Sequence, residues 1–144
     1  VQLNFQIEDV IEADLRSSYT VNKIKYNIPS FIDASANTFS LGLGGKGYLP
    51  KKWILSVDFS QRINAGYSNY INANPTILNV YVEKSFLQND MMAIRLQGFD
   101  LFNKNTGVRR EVVGNDIFDM RNNRLARYFL ISLNIRLQKF PSKI

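Results

Sequence analysis

Apolar side chains recur at every second position over long stretches of this chain, and that periodicity limits what it can fold into. In 1–8 the odd positions are Val1, Leu3, Phe5 and Ile7, and the even ones are Gln2, Asn4, Gln6 and Glu8. In 129–138 Phe129, Ile131, Leu133, Ile135 and Leu137 alternate with Ser132, Asn134, Arg136 and Gln138, with Leu130 the apolar intruder. Trp53, Leu55, Val57 and Phe59 stand against Ser56, Asp58, Ser60 and Arg62. Leu78, Val80 and Val82 stand against Asn79, Tyr81, Glu83 and Ser85, and Met92, Ile94 and Leu96 against Arg95 and Gln97. Period two is the repeat of a strand with one apolar and one polar face. No stretch repeats apolar residues at i, i+3, i+4 and i+7, so no helix is expected.

The alternation predicts about seven strands, at 1–7, 11–27, 31–48, 52–65, 76–86, 91–102 and 127–139. Their connections differ in character. Those at 8–10, 49–51 and 87–90 are tight and carry the Pro, Asn and Asp that turns favour, whereas 66–75 and 103–126 are long, polar and rich in Asn and Gly. The short link at 27–30 breaks this rhythm. Short turns at one end and long loops at the other describe an outer-membrane barrel.

A soluble antiparallel sheet also alternates. Three features favour lipid against the apolar face. Most of the strands reach the ten or so residues that a tilted strand needs to cross the apolar band, against a soluble mean nearer 5–6. The alternate face is strongly polar: Asp58, Arg62, Asn79, Glu83, Arg95, Gln97, Asn134 and Arg136 are the candidates for a watery lumen. Aromatics gather near strand ends, with Tyr48, Trp53, Phe86 and Phe140 by the short turns and Tyr26, Phe31, Tyr67, Phe102, Tyr128 and Phe129 by the long loops, as two interfacial girdles would. The fold expected is therefore all-β, an antiparallel transmembrane β-barrel segment of about 6–8 up-and-down strands. Single-chain barrels have even strand numbers with both termini periplasmic. Seven strands over 1–144 thus predict a C-terminal part of a larger barrel, incomplete in this chain.

Composition narrows the chemistry. The 144 residues hold no Cys and no His, which excludes disulfides, thiol catalysis, Cys/His zinc sites and any His-based triad. No apolar run of ~18 residues marks a transmembrane helix. Positions 1–10 alternate and lack a basic start, so an export signal is expected upstream. The net charge of +6 invites a nucleic-acid reading, but the charges are scattered and no nucleic-acid partner is expected.

Gly42, Gly44 and Gly47 match a dinucleotide-binding G-x-G-x-x-G by letter, but Tyr48, Leu49 and Pro50 follow where that motif needs a helix, so these glycines read as strand positions. Asp14, Asp58, Glu83 and Asp100 could supply a carboxylate pair, yet no spacing selects one. No catalytic, metal or cofactor-binding residue is expected, and no enzyme activity. Arg109 and Arg110 sit in the longest loop with Arg121, Arg124 and Arg127 nearby. They read either as a solvated loop tethered to Glu111, Asp116 and Asp119, or as contacts to lipopolysaccharide phosphates, which suit the arginine fork.

From Leu78 onward the text is more specific. It runs through a K-x-F-L-x-N turn (Lys84, Phe86, Leu87, Asn89), Ile94 and Leu96, and a D-L-x-N-x-N loop (Asp100, Leu101, Asn103, Asn105). Arg127, Tyr128 and Phe129 then open a strand, and Leu137, Lys139 and Phe140 close it. This resembles the C-terminal barrel of the outer-membrane β-barrel family typical of Bacteroidetes-type bacteria, many of whose members look like TonB-dependent receptors. Residues 1–75 share the strand rhythm rather than the motifs, and the chain continues past Phe140. The resemblance implies an N-terminal plug, often a carboxypeptidase-regulatory-like domain, energy coupling through TonB by regions outside this sequence, and a surface lipoprotein partner. Large plugged transporters have 22 strands. The function expected is the non-catalytic wall of a TonB-dependent-receptor-like importer in the bacterial outer membrane, in contact with lipid and lipopolysaccharide. Two readings compete: an accessory or structural barrel subunit without TonB-driven transport, and a soluble β-barrel or sandwich binding protein.

Overall fold

The computed structural model describes residues 1–24, 34–65, 74–105, 108–113, 116–121 and 125–136. Nine strands occur among them: β1 (Gln2–Ile7), β2 (Ile11–Ile24), β3 (Ala34–Leu49), β4 (Trp53–Ala65), β5 (Thr76–Phe86), β6 (Met92–Phe99), β7 (Val108–Val113), β8 (Asp116–Arg121) and β9 (Tyr128–Ile135). Seven form one antiparallel sheet in the order β1-β2-β3-β4-β5-β6-β9. Neighbours in the sheet are neighbours in sequence, apart from the detour between β6 and β9. There β7 and β8 pair only with each other. The long loop expected at 103–126 thus contains a hairpin, whose Val- and Ile-bearing arms (Val112, Val113, Ile117) favour strand over coil. It joins neither edge of the main sheet, so the count of seven stands.

The tight turns are closed by left-handed backbone. Asp9, Lys51, Lys52, Leu87, Asn89 and Asp90 all have positive φ. The K-x-F-L-x-N turn closes at Gln88–Asp90 through left-handed backbone at Asn89 (φ 56) and Asp90 (φ 53), which is a turn and not a regular helix. β6 ends at Phe99, short of the expected 102, because Asp100 (φ 49) and Asn103 (φ 53) turn the chain out of the sheet.

Every ladder of the main sheet runs without a break in register. Register therefore fixes the faces. The row Gln6, Glu12, Lys46, Ser56, Tyr81, Gln97, Leu130 lies on one side. The row Ile7, Ile11, Gly47, Leu55, Val82, Leu96, Ile131 lies on the other. The sheet has almost no core. Among the described residues only Ala93, Gly98 and Asp100 are buried, and no large side chain is fully enclosed. The apolar side is exposed instead: Leu55, Val82, Leu96 and Ile131 are 39%, 36%, 52% and 74% exposed. The polar side is the more covered, with the Glu83 side chain 12% exposed.

The sheet is open. Six antiparallel steps separate β1 from β9, so these two edge strands run in the same direction. An all-antiparallel closure requires an odd number of further strands between them.

Candidate functional site

The polar face is where chemistry-bearing side chains collect. All eight residues expected to face a lumen fall on it by register. Asp58 pairs with Asn79, Glu83 with Arg95, Tyr81 with Gln97, Ala93 with Asn134 and Ser40 with Arg62. Arg136, one residue past β9, keeps the alternation, its N–H donating to the Met91 carbonyl at 2.8 Å.

Two ion-pair groups organise this face. In the first, Arg16 on β2 holds Asp14 at 2.7 Å and reaches Asp58 on β4 at 3.6 Å. It does so across β3, where the facing residues are Gly42 and Gly44. A Cβ on Gly44 would overlap Oδ1 of Asp14, while one on Gly42 would rest against the Arg16 side chain. The G-x-G-x-x-G segment is therefore a strand, and two of its glycines clear the floor beneath a cross-strand ion pair. Asn79 extends the line: its Nδ2 donates to Asp58 at 3.5 Å, and its Oδ1 accepts the Asp100 N–H at 3.0 Å. In the second group, Nε and Nη2 of Arg95 both meet Glu83 Oε2, at 2.7 and 2.6 Å, and the guanidinium lies 4.4 Å from the Tyr81 ring centroid. Beside it, Tyr48 donates its hydroxyl to Glu12 at 2.6 Å and Lys46 sits 4.6 Å above the Tyr48 ring.

Each of the four carboxylates considered from sequence has a structural partner. Asp14 and Asp58 share Arg16, and Glu83 holds Arg95. Asp100 accepts the backbone N–H groups of Lys104 and Asn105 at 3.1 Å each. The described residues contain no group of three or more Asp or Glu positioned to hold a metal ion. A concavity of about 430 Å³ opens on this face beside Asn4, Gln6, Glu12, Asp14, Lys46 and Asp58. Both signs of charge line it.

The girdle reading needs correction at two positions. Tyr48 and Tyr128 lie on the polar face. Tyr48 serves Glu12 and Lys46, and Tyr128 stacks on Phe99 with centroids 4.5 Å apart. Their parity in the strand decides this, since a girdle residue must share the apolar side. Trp53, Phe86 and Phe129 do so, and Phe102 lies exposed in the turn after β6. Tyr26, Phe31, Tyr67 and Phe140 lie outside the described residues. Arg109 and Arg110 are placed in β7, opposite Met120 and Asp119. Their side chains, where any lipopolysaccharide contact would be made, are outside the described part.

Sequence reasoning missed Arg16 and Tyr48 as members of this face. Their even or odd position was the available signal for the face, but not for the partner. Comparison with protein-family models, with curated proteins and with solved structures finds no match to this chain.

Proposed function

We propose that this chain is part of the wall of an outer-membrane β-barrel, its apolar face in lipid and its polar face lining a lumen. One observation carries the reading: the distribution of charge between the two faces. Along the apolar face, among the described side chains, the charged residues are Lys23 and Lys84 alone, one toward each end of the strands. Glu12, Asp14, Arg16, Lys46, Asp58, Arg62, Glu83 and Arg95 all stand on the opposite face. An apolar band with lysines at its rims matches a bilayer, because a lysine stem lies along apolar surface while its ammonium reaches the headgroups.

The same observation weighs against the soluble alternative. Monomeric soluble proteins rarely expose a contiguous apolar patch beyond a few hundred Å². A sandwich would lay a second sheet over this face, and the described residues hold no second sheet except the β7–β8 hairpin. Within the barrel reading, the importer role comes from the resemblance of 78–140 to TonB-dependent receptors. There this segment acts as a non-catalytic scaffold whose inward residues contact plug or cargo. The strand lengths support the wall itself: β2, β3 and β4 have 14, 16 and 13 residues.

Fractionation of cells expressing the full-length protein tests the reading. The protein is expected in the outer-membrane fraction, released by detergent and resistant to high salt. Recovery in the soluble fraction without detergent would sink the wall assignment. An insertion that ablates an upstream plug without loss of uptake would leave the wall and remove the importer.

A further inference from the structure

We propose that Lys51 and Lys52 of the β3–β4 turn, together with Lys84 on the adjoining end of β5, bind the phosphate of an anionic phospholipid headgroup. The inference rests on the membrane reading, which puts this short-turn end of the sheet at a leaflet surface. Lys84 belongs to the apolar face, directly opposite Trp53 in register. Its ammonium lies 5.1 Å from the Trp53 ring centroid and 6.0 Å from that of Phe86, and donates to the Lys51 carbonyl. The Ser85 N–H donates to the Lys52 carbonyl at 3.2 Å. The β3–β4 turn is thereby docked on the end of β5, which brings the three lysines to one place.

Charge and backbone both single out this turn. Asp90 pairs with Lys52 at 2.7 Å. Lys51 makes no ion pair among the described residues. The acidic Glu8 and Asp9 belong to the β1–β2 turn, whose Val10 carbonyl accepts from Tyr48 on the far side of β3. Three cations against one carboxylate leave an excess of positive charge beside an exposed tryptophan. Lys51 and Lys52 moreover adopt φ of 63 and 64. Asn or Gly accepts that left-handed conformation more readily than lysine does. Local turn stability therefore does not explain two consecutive lysines here, whereas a headgroup phosphate does. Ammonium groups beside an interfacial tryptophan are suited to that partner.

The test uses the full-length protein folded in mixed vesicles of phosphatidylglycerol and phosphatidylcholine, followed by native mass spectrometry of the lipid it retains. Wild type is expected to retain phosphatidylglycerol in preference. The variant Lys51→Asn/Lys52→Asn is expected to lose about 25-fold of that preference, at about fivefold per lysine near an anionic surface. Its unfolding midpoint in neutral detergent should stay level or rise, because asparagine relieves the turn. Equal retention of both lipids by wild type overturns the proposal without needing any variant. So does an unchanged preference in the asparagine variant, or release of the lipid by millimolar inorganic phosphate, which would make free phosphate the ligand. A protein that never inserts into vesicles sinks the membrane reading and this site with it. One that inserts without lipid preference sinks the site alone.

Discussion

Val57→Arg is expected to destabilise the protein in a bilayer by about 2–4 kcal/mol, the cost of arginine on a lipid-facing strand near the midplane. The position follows from geometry. Trp53 marks a rim of the apolar band. A strand tilted ~45° and rising ~3.3 Å per residue climbs about 2.3 Å per residue along the membrane normal, so the middle of a ~25 Å band lies about five residues on. That falls at Val57 to Phe59, and Val57 stands on the apolar face between Gly45 and Val80. Asn134→Arg is the control. It places the same charge on the polar face opposite Ala93, and is expected to cost less than about 1 kcal/mol. Leu133→Arg, on the apolar face beside Ile94, should also cost more than Asn134→Arg. Urea unfolding from lipid vesicles, followed by Trp53 fluorescence, reads all three. Equal losses at Val57 and Asn134 would remove the assignment of faces.

The second large effect is expected at Asp100. The residue is 5% exposed, its carboxylate accepts two backbone N–H groups, and its own N–H is held by Asn79. Asp100→Ala leaves the amides of Lys104 and Asn105 without their acceptor and puts alanine at φ 49. Hydrogen bonds to a charged group contribute about 1.5–3 kcal/mol each, so a loss of about 2–4 kcal/mol is expected after water has reached part of the loop. The turn carries more than itself. Leu101 bonds back to Leu78, Asn103 accepts the Arg127 N–H, and Leu101 packs where a Cβ on Gly98 would come within 2.8 Å of it. Loosening Asp100 should therefore expose the β6–β9 connection to protease before the sheet unfolds. Asp100→Asn, which keeps an acceptor and tolerates positive φ, should cost less than half as much. Asp90→Ala, which breaks an exposed pair with Lys52, should cost under about 1 kcal/mol. If Asp100→Ala proves as mild as Asp90→Ala, the carboxylate does not organise the loop.

Parity was legible in the sequence and register was not, and the difference has a physical cause. A shift of one residue flips every side chain to the other face, so the alternation of 53–60 and 129–137 was enough to sort Leu55 from Ser56 and Leu133 from Asn134. A shift of two residues leaves the alternation intact while changing every cross-strand partner. Nothing in the sequence told that Arg16 would face Gly42, or that Glu83 would meet Arg95. Tyr48 and Tyr128 were misplaced because nearness to a strand end was allowed to outweigh parity. The hairpin β7–β8 escaped because its polar residues (Arg109, Arg110, Glu111, Asp119) hide the alternation that longer strands display. The turns were legible as turns from Pro50, Asn89 and Asp90. Their left-handed lysines were not, since lysine carries no conformational signature.

The central claim is that odd positions of β4 face lipid and even positions face water. The 144 residues contain no cysteine, so single cysteines can be introduced without background in this segment. Single-cysteine variants at Leu55, Val57 and Phe59, and at Ser56, Asp58 and Ser60, are folded into vesicles and treated with a charged, membrane-impermeant thiol reagent. The account expects labelling at 56, 58 and 60 and protection at 55, 57 and 59, with the protection lost in denaturant. Labelling of 55, 57 and 59 as fast as their neighbours, or the reverse alternation, would contradict it.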